Sequence, residues 1–190
     1  MKSFGAQARE WIVTLAVALL IVILVRAFVC FVIRVDGVSM NPTLANGEML
    51  FYTAFDVRLG AINRGDVVIC HYPNRGLTYF VKRVAAVPGD TVYRQDGVTH
   101  VQYERNGQTV DEALDEGTGY AARQRGFDYE PYVLGAKEYF VVGDNRGNSH
   151  DSRDWKNRNA SKYVGPIRRG MIMGHVRAVV WPFGKMRIVR

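Results

Sequence analysis

Three stretches of the 190-residue sequence contain residue types that could carry out nucleophilic chemistry. The first is VDGVSMNPTL, residues 35–44, where Ser39 follows Gly37 and precedes a proline turn. A serine hydroxyl attacks a carbonyl only when a neighbouring base activates it, and an isolated serine in a turn is usually a backbone cap. The near match to G-x-S-x-G fails at Asn41 and lacks the strand–turn–helix context, which disfavours an α/β-hydrolase.

The second stretch, LTYFVKRVAAV at residues 77–87, offers a lysine as the base. The period-two alternation of a strand places Phe80, Lys82 and Val84 on one face. If that face is buried, desolvation lowers the pKa of the Lys82 amine, and we expect the charge of Arg83 to lower it further. The alternative is that Lys82 is an edge-strand charge that discourages aggregation.

Histidine is the other base that the sequence offers. A Ser–His–Asp arrangement stays open, although none of the histidines lies in a local pattern of that chemistry. They are His71, His100, His150 and His175. Without H-E-x-x-H or C-x-x-C, we predict no metal site and no cofactor. Cys30 and Cys70 are too few for a disulfide framework and are interpreted as free thiols.

The third stretch is GDNRGNSHDSRDW, residues 143–155, directly after the strand-like EYFVV. It combines small residues with charged side chains, among them Asp144, Arg146, Asp151 and Arg153. Such a loop is either ordinary solvated surface, where ion pairs stabilise little, or a hydrogen-bonded bracket that holds a site rigid.

The elements that must position these stretches begin with an apolar N-terminus. Residues 11–33 are predominantly apolar, and as a helix they extend about 34 Å, enough for a ~30 Å hydrocarbon core. A cleaved secretory signal lacks its small-x-small site here, and a buried soluble helix would show a polar face. We predict a single-pass transmembrane anchor in residues 1–33 of a cell-membrane protein. Lys2 and Arg9 would keep the N-terminus cytoplasmic, with residues 34–190 on the extracytoplasmic side.

The formal net charge of +7 points to an anionic partner. A basic surface suits either nucleic acid or anionic lipid. The sequence contains no block of consecutive basic residues and no nucleic-acid motif. We therefore predict the lipid bilayer as a partner and no binding of nucleic acid.

Residues 34–190 show strand patterns and almost no helical periodicity. Short β-rich runs recur between turn signals: EMLFYTAF, GDVVICHY, LTYFVKRVAAV, DTVYR, EYFVVGD and GMIMGHVRAVVW. Without βαβ alternation, the pattern predicts a mostly β fold, in which the transmembrane helix precedes an antiparallel, barrel-like catalytic domain. Residues 94–131 are more polar and are interpreted as a small β insertion or cap with a hairpin at Asn106-Gly107.

Four motifs in this order, after an apolar segment, resemble those of type I signal peptidases, the membrane-bound serine–lysine proteases of bacteria. They are SMNPTL at 39–44, RGDVV at 64–68, YFVKRVAAVPGD at 79–90 and GDNRGNSHDSR at 143–153, with weaker matches in NGQTVDE at 106–112 and VVWPFG at 179–184. The resemblance covers nearly the whole chain. It implies that Ser39 attacks the scissile carbonyl to form an acyl-enzyme. Neutral Lys82 would take the serine proton and later activate the deacylating water.

The same resemblance implies roles for the residues around this pair. Ser149 would hydrogen-bond and orient the Lys82 amine, and Met40 would pack beside the nucleophile. Some members carry a second hydroxyl where this chain has Gly37, so the oxyanion hole would depend on backbone N–H groups, chiefly that of Ser39. Loop-bracing roles are implied for the pair Asp151 and Arg153 and for Asp144 and Arg146.

The implied substrates are secretory preproteins with small residues one and three positions before the cut. Two alternatives stay open. One is another serine–lysine processing peptidase of similar fold, such as a self-cleaving repressor or a plasmid-transfer processing peptidase. The other is a non-catalytic, membrane-anchored β module that binds partners.

Overall fold

The structure, a computed structural model, describes residues 4–28, 30–73, 75–76, 78–119, 127–155 and 163–189. The chain begins with helix α1, Phe4–Phe28, and strand β1 follows at Cys30–Arg34. The predicted continuation of the helix to Ile33 is therefore wrong. The aromatic and β-branched residues before Arg34 pair instead with the next strand, which suits their preference for a pleated, half-buried surface.

Side chains within α1 are described without a break from residue 9 to residue 22. Those that are large and apolar, from Trp11 to Val22, are exposed. Among the described residues, no helix is long and apolar enough to cross a membrane.

The main sheet is antiparallel throughout, as predicted for a mostly β fold. Besides β1, its strands are β2 Met49–Thr53, β3 Val67–Cys70, β4 Phe80–Ala86, β9 Glu138–Val142, β10 Ile167–Arg168, β11 Ile172–Trp181 and β12 Arg187–Ile188. The strand order is β1-β2-β11-β3-β4-β9-β10, and β12 pairs with β11. Strands β3 and β4 thus lie in the middle of the sheet.

A second antiparallel sheet, in the order β7-β6-β5-β8, forms the predicted insertion. Its strands are β5 Thr91–Gln95, β6 Val98–Arg105, β7 Gln108–Ala113 and β8 Tyr129–Val133, so it begins earlier and ends later than the predicted 94–131. The predicted hairpin at Asn106-Gly107 is confirmed. Both of its turn residues have positive φ, 54° and 75°, the conformation of a two-residue type I′ turn.

One short α-helix interrupts the strand pattern predicted for EMLFYTAF. Helix α2, Phe55–Leu59, begins just after β2. The Asp56 carboxylate accepts hydrogen bonds from the Thr53 hydroxyl at 2.7 Å and from the Val57 N–H at 2.9 Å. These local bonds favour a turn over a continued strand. The chain also forms 3₁₀ turns at Arg146–Asn148, Arg169–Met171 and Phe183–Lys185.

Three apolar clusters of described residues form the core. All four residues of β3 are buried, with Val68 and Cys70 in one cluster and Val67 and Ile69 in another. The third cluster joins the two sheets, because Val92 of the insertion packs with residues of β4 and β9. Cys70 is a free, buried thiol as predicted, whereas the Cys30 side chain is not among those described.

Candidate active site

Lys82 lies on a central strand and is buried. Its strand, β4, has β3 on one side and β9 on the other, and the residue is only 2% exposed. Phe80 and Val84 lie in one apolar cluster, which agrees with the predicted alternation. The alternative of an edge-strand charge is therefore wrong.

The Lys82 amine contacts the Ser39 hydroxyl. Nζ and Oγ are 2.7 Å apart, and Nζ also donates to the backbone carbonyl of Val81 at 3.0 Å. Ser39 itself is partly exposed, so an incoming group can reach its oxygen. Within the described chain no histidine hydrogen-bonds this hydroxyl, which removes the basis for a Ser–His–Asp arrangement.

The electrostatic surroundings of Lys82 favour a neutral amine. Burial is the largest effect and lowers the pKa of Lys82, the nearby carboxylate of Asp151 raises it, and Arg153 lowers it, with a net decrease. The expectation that the charge of Arg83 would lower the pKa of Lys82 further is wrong. The Arg83 guanidinium is paired with the Asp144 carboxylate, so its charge is compensated.

The loop that carries Ser39 starts from a glycine with a special backbone conformation. Gly37 has φ of +111°, a region that side chains disfavour, and its N–H donates to the Asn46 side-chain oxygen at 3.0 Å. A hydroxyl-bearing residue in place of Gly37 would therefore be strained in this loop. Met40, on the other side of Ser39, is buried in an apolar cluster with Leu44 and Leu50.

Asn145 holds the Ser39 loop against the chain after β9. Its backbone N–H donates to the Ser39 carbonyl at 3.0 Å, and its side-chain Nδ2 donates to the Val38 carbonyl at 3.0 Å. The sequence reasoning missed this residue, although it lies within the GDNRG motif. An asparagine between two charged residues carried no signal that it contacts a loop more than a hundred positions earlier.

Gly143 allows the close approach of Ser39 and Ser149. A Cβ at position 143 would overlap the Ser149 hydroxyl and the Ser39 backbone oxygen. Ser149 is fully buried, and its Oγ has no hydrogen-bond partner among the described residues. The predicted hydrogen bond from Ser149 to the Lys82 amine is therefore not made in this structure.

Asp144 joins its loop to the strand of Lys82. Its two oxygens accept hydrogen bonds from Nε and Nη2 of Arg83, each at 2.8 Å. Burial raises the pKa of Asp144, but the hydrogen bonds from Arg83 and Thr43 outweigh that effect and the net pKa is below its usual value. The predicted bracing role of Asp144 thus has a partner, Arg83, that the sequence reasoning did not assign.

The predicted pair of Asp151 and Arg153 is confirmed. Both side chains are fully buried and meet through two hydrogen bonds, Nε to Oδ1 at 2.9 Å and Nη2 to Oδ2 at 2.8 Å. Arg153 also donates to the carbonyls of Asp115, at 2.9 Å, and Arg146, at 3.0 Å. Asp151 in turn accepts the Gly143 N–H at 2.9 Å. The loop is therefore a hydrogen-bonded bracket and not solvated surface, and Arg146 takes part through its backbone.

The comparisons with known proteins place this chain in a family. The family model described as signal peptidase, peptidase S26, matches residues 8–181. The chain belongs to the signal peptidase family. Membership makes it a peptidase, and hence a hydrolase, which leaves the non-catalytic binding module without support.

Curated relatives agree over almost the whole chain. Signal peptidase I S of Bacillus subtilis (strain 168) is 34% identical over 183 residues, covering 94% of this chain and 91% of the relative. Signal peptidase I of Bacillus licheniformis is 33% identical over 183 residues, with the same two coverages. A crystal structure of a signal peptidase I from Enterococcus faecalis V583 is 24% identical, has a TM-score of 0.37 and covers 60% of this chain and 96% of its own.

Proposed function

We propose that this chain removes N-terminal signal peptides from secretory preproteins, with Ser39 as the nucleophile and Lys82 as the general base. The observation that carries the proposal is the 2.7 Å separation between Ser39 Oγ and the buried Lys82 Nζ. Family membership supports the reaction class. The lowered pKa of Lys82 supports the choice of base, because a base must be unprotonated before it can accept the serine proton.

Acylation would begin when neutral Lys82 accepts the hydroxyl proton as Oγ attacks the scissile carbonyl. The negative charge that develops on the carbonyl oxygen would be stabilised by the Ser39 N–H, which donates no hydrogen bond within the described chain. The Gly37 N–H is already bonded to Asn46. Protonated Lys82 would then give its proton to the leaving amine, which releases the mature protein.

Deacylation would use the same amine a second time. Neutral again, Lys82 would take a proton from a water molecule that attacks the acyl-enzyme, and it would return that proton to Ser39 Oγ. The buried Ser149 hydroxyl would hydrogen-bond the amine when Oγ is acylated and no longer available to it. Met40 and the hydrogen-bonded loop would hold Ser39, Lys82 and Ser149 in position. The residues of that loop are Asp144, Arg146, Asp151 and Arg153.

We propose substrates with small residues one and three positions before the cut. An extended peptide alternates its side chains, so the residues at these two positions point to the same side. Small side chains there would let the scissile carbonyl approach the partly exposed hydroxyl of Ser39. This preference separates a signal peptidase from other serine–lysine processing peptidases.

The remaining part of the proposal concerns location. We propose that α1 anchors the chain in the cell membrane as a single pass, with a cytoplasmic N-terminus and an extracytoplasmic peptidase domain. The apolar run from Trp11 onward, preceded by Lys2 and Arg9, supports this orientation. Protease added outside spheroplasts should digest the peptidase domain. If the domain is digested only after the cells are lysed, it lies in the cytoplasm and the proposed orientation is wrong.

The central test compares cleavage of a purified preprotein by the detergent-solubilised full chain and its variants. Ser39→Ala and Lys82→Ala should each lower the cleavage rate by at least about 10³-fold, because two residues that act as a unit fail together. Arg105→Ala, on the exposed β6–β7 hairpin, is the matched control and should cleave at the wild-type rate. Normal cleavage by Lys82→Ala would reject the assignment of the base.

A substrate series tests the specificity. A preprotein with a bulky residue one position or three positions before the cut should resist cleavage, while the same change two positions before the cut should matter less. Equal cleavage of all three substrates would favour a different processing peptidase.

A further inference from the structure

A cleft away from Ser39 is lined by cations. It has a volume of about 420 Å³ and lies between α2 and the turn that leads into β11. Three basic side chains line it: Arg58 of α2, Lys137 before β9, and Arg169. The other lining residues are Val57, Gly170, Ile172 and Met173, so no acidic residue appears among those the structure describes there. We call these seven residues the basic cleft.

The charges of the basic cleft are not neutralised by the protein. Within the described ranges, none of its three cations has a carboxylate at ion-pairing distance. Arg169 is held by neutral groups instead. It donates to the carbonyls of Val57 at 2.6 Å and Gly60 at 2.5 Å and to the Tyr139 hydroxyl at 3.1 Å. These bonds fix the guanidinium and leave its charge to attract an anion.

Large apolar side chains flank the cleft on α2. Leu59 is 82% exposed and Phe55 is 47% exposed, although both are hydrophobic, whereas Val57 of the same helix is buried in the core. A short amphipathic segment that exposes apolar side chains beside cations is typical of a surface lying in the membrane interface.

The sheet register places this surface next to the end of α1. Helix α1 ends at Phe28, and Cys30, the first residue of β1, pairs with Thr53, the last residue of β2. Helix α2 starts two positions after Thr53. The basic cleft and its apolar flank therefore lie where the N-terminal helix meets the domain.

We propose that the basic cleft binds the phosphate headgroup of an anionic phospholipid, with Phe55 and Leu59 reaching into the acyl boundary. The Arg58 guanidinium offers planar donors that match phosphate oxygens, and Lys137 and the fixed Arg169 add positive charge. A soluble phosphate would use the cations alone and would leave the exposed apolar flank without a role. This inference rests on the anchoring of α1 proposed above and is independent of the chemistry at Ser39.

The experiment measures lipid binding to the full chain in dodecyl maltoside micelles by native mass spectrometry. Phosphatidylglycerol is titrated against phosphatidylcholine with the same acyl chains, and glycerol 3-phosphate is a third probe. The test variant is Arg58→Gln with Lys137→Gln, which leaves the structural Arg169 in place. The matched control, Arg75→Gln with Arg105→Gln, removes the same charge from exposed positions elsewhere.

We expect the wild type to prefer phosphatidylglycerol. Each cation near an anionic lipid contributes about fivefold in affinity, so the double variant should bind phosphatidylglycerol about 25-fold more weakly. The control should keep wild-type binding, and both variants should cleave a preprotein at the wild-type rate, so the outcome does not depend on the proposed activity. Equal binding of the two lipids, or an equal loss in the control, would overturn the proposal. Glycerol 3-phosphate binding as tight as the lipid would assign the cleft to a soluble anion instead.

Discussion

Lys82 Nζ lies 2.7 Å from Ser39 Oγ, although 43 positions separate the two residues in the chain. Two features bring them together. The central position of β4 fixes the buried lysine, and the missing side chain at Gly143 lets the Ser39 loop approach. The contact between Ser39 and Lys82 thus depends on the folded sheet and on the loop that follows β9, and not on either sequence motif alone.

The first prediction concerns the pH dependence of cleavage. Because burial lowers the pKa of Lys82, the neutral amine predominates at a lower pH than the ordinary lysine value of about 10.4. We expect kcat/KM to rise with pH through a midpoint at the folded pKa of Lys82, which lies below that ordinary value. Initial rates on a peptide substrate from pH 5 to pH 10 measure this. A flat profile, or a midpoint at the ordinary lysine value, would contradict a neutral-lysine base.

The second prediction concerns stability. The unfolded state binds the Lys82 proton more tightly than the folded state, so protonation favours unfolding at every pH between the lowered pKa and the ordinary value. Relative to Lys82→Met, the wild-type free energy of unfolding should therefore rise with pH in that window by about 1.4 kcal/mol per pH unit. Denaturant titrations of both proteins at several pH values check the slope. If the free energies of unfolding of the two proteins change with pH in parallel, Lys82 stays charged in the folded state.

The third prediction concerns Gly143. Gly143→Ala places a Cβ where the Ser149 hydroxyl and the Ser39 carbonyl now lie. The displaced Ser39 loop should lower kcat by about 10²-fold, since a misplacement of about 1 Å is enough for that effect. Gly184→Ala is the matched control, because its added Cβ has no atom within 4 Å. Full activity of Gly143→Ala would show that the bracket does not set the position of Ser39.

Much of the fold was predictable because its strands follow local rules. Alternating apolar residues and turn signals located β2, β3, β4, β5, β9 and β11, and the Asn106-Gly107 turn specified its hairpin. The boundary between α1 and β1 was not predictable, because residues 30–33 are as apolar as the helix before them. Only pairing with β2 makes them a strand, and that pairing is a tertiary interaction.

The site was predictable in its residues but only partly in its contacts. The face that Lys82 shares with Phe80 and Val84 followed from alternation, whereas its role as a neutral base and the Asp151–Arg153 pair followed from the family resemblance. The partner of Asp144 was missed because Arg83 was considered only for its effect on the neighbouring Lys82, and a contact 61 positions along the chain has no local sequence pattern. Asn145 and Gly143 act through backbone contacts with the Ser39 loop, and such contacts have no local sequence pattern.

The fourth prediction concerns Arg153. Arg153→Met would leave the fully buried Asp151 carboxylate without its bidentate partner and should lower the free energy of unfolding by about 3–5 kcal/mol. Arg153→Lys keeps the charge but loses the planar fork, so its loss should be smaller. Arg105→Met on the exposed hairpin is the control and should be near neutral. Thermal and denaturant unfolding measure all three, and a neutral Arg153→Met would contradict the bracket.

The last prediction separates the stability of the Ser149 region from its function. A fully buried hydroxyl without a hydrogen-bond partner destabilises the folded state by about 1–3 kcal/mol, so Ser149→Ala should stabilise the protein. If Ser149 orients the Lys82 amine during turnover, the same variant should lose about tenfold or more in kcat, within the range of catalytic hydrogen-bond losses. Stability and activity would then change in opposite directions.

Ser152 supplies the matched control for this test. It is equally buried, but its Oγ accepts the Val141 N–H at 3.0 Å. Ser152→Ala leaves that N–H unpaired and should therefore destabilise the protein, the opposite sign to Ser149→Ala. Denaturant unfolding and preprotein cleavage are measured on both variants. If Ser149→Ala loses stability as Ser152→Ala does, or keeps full activity, then Ser149 is a structural residue and Lys82 is oriented without it.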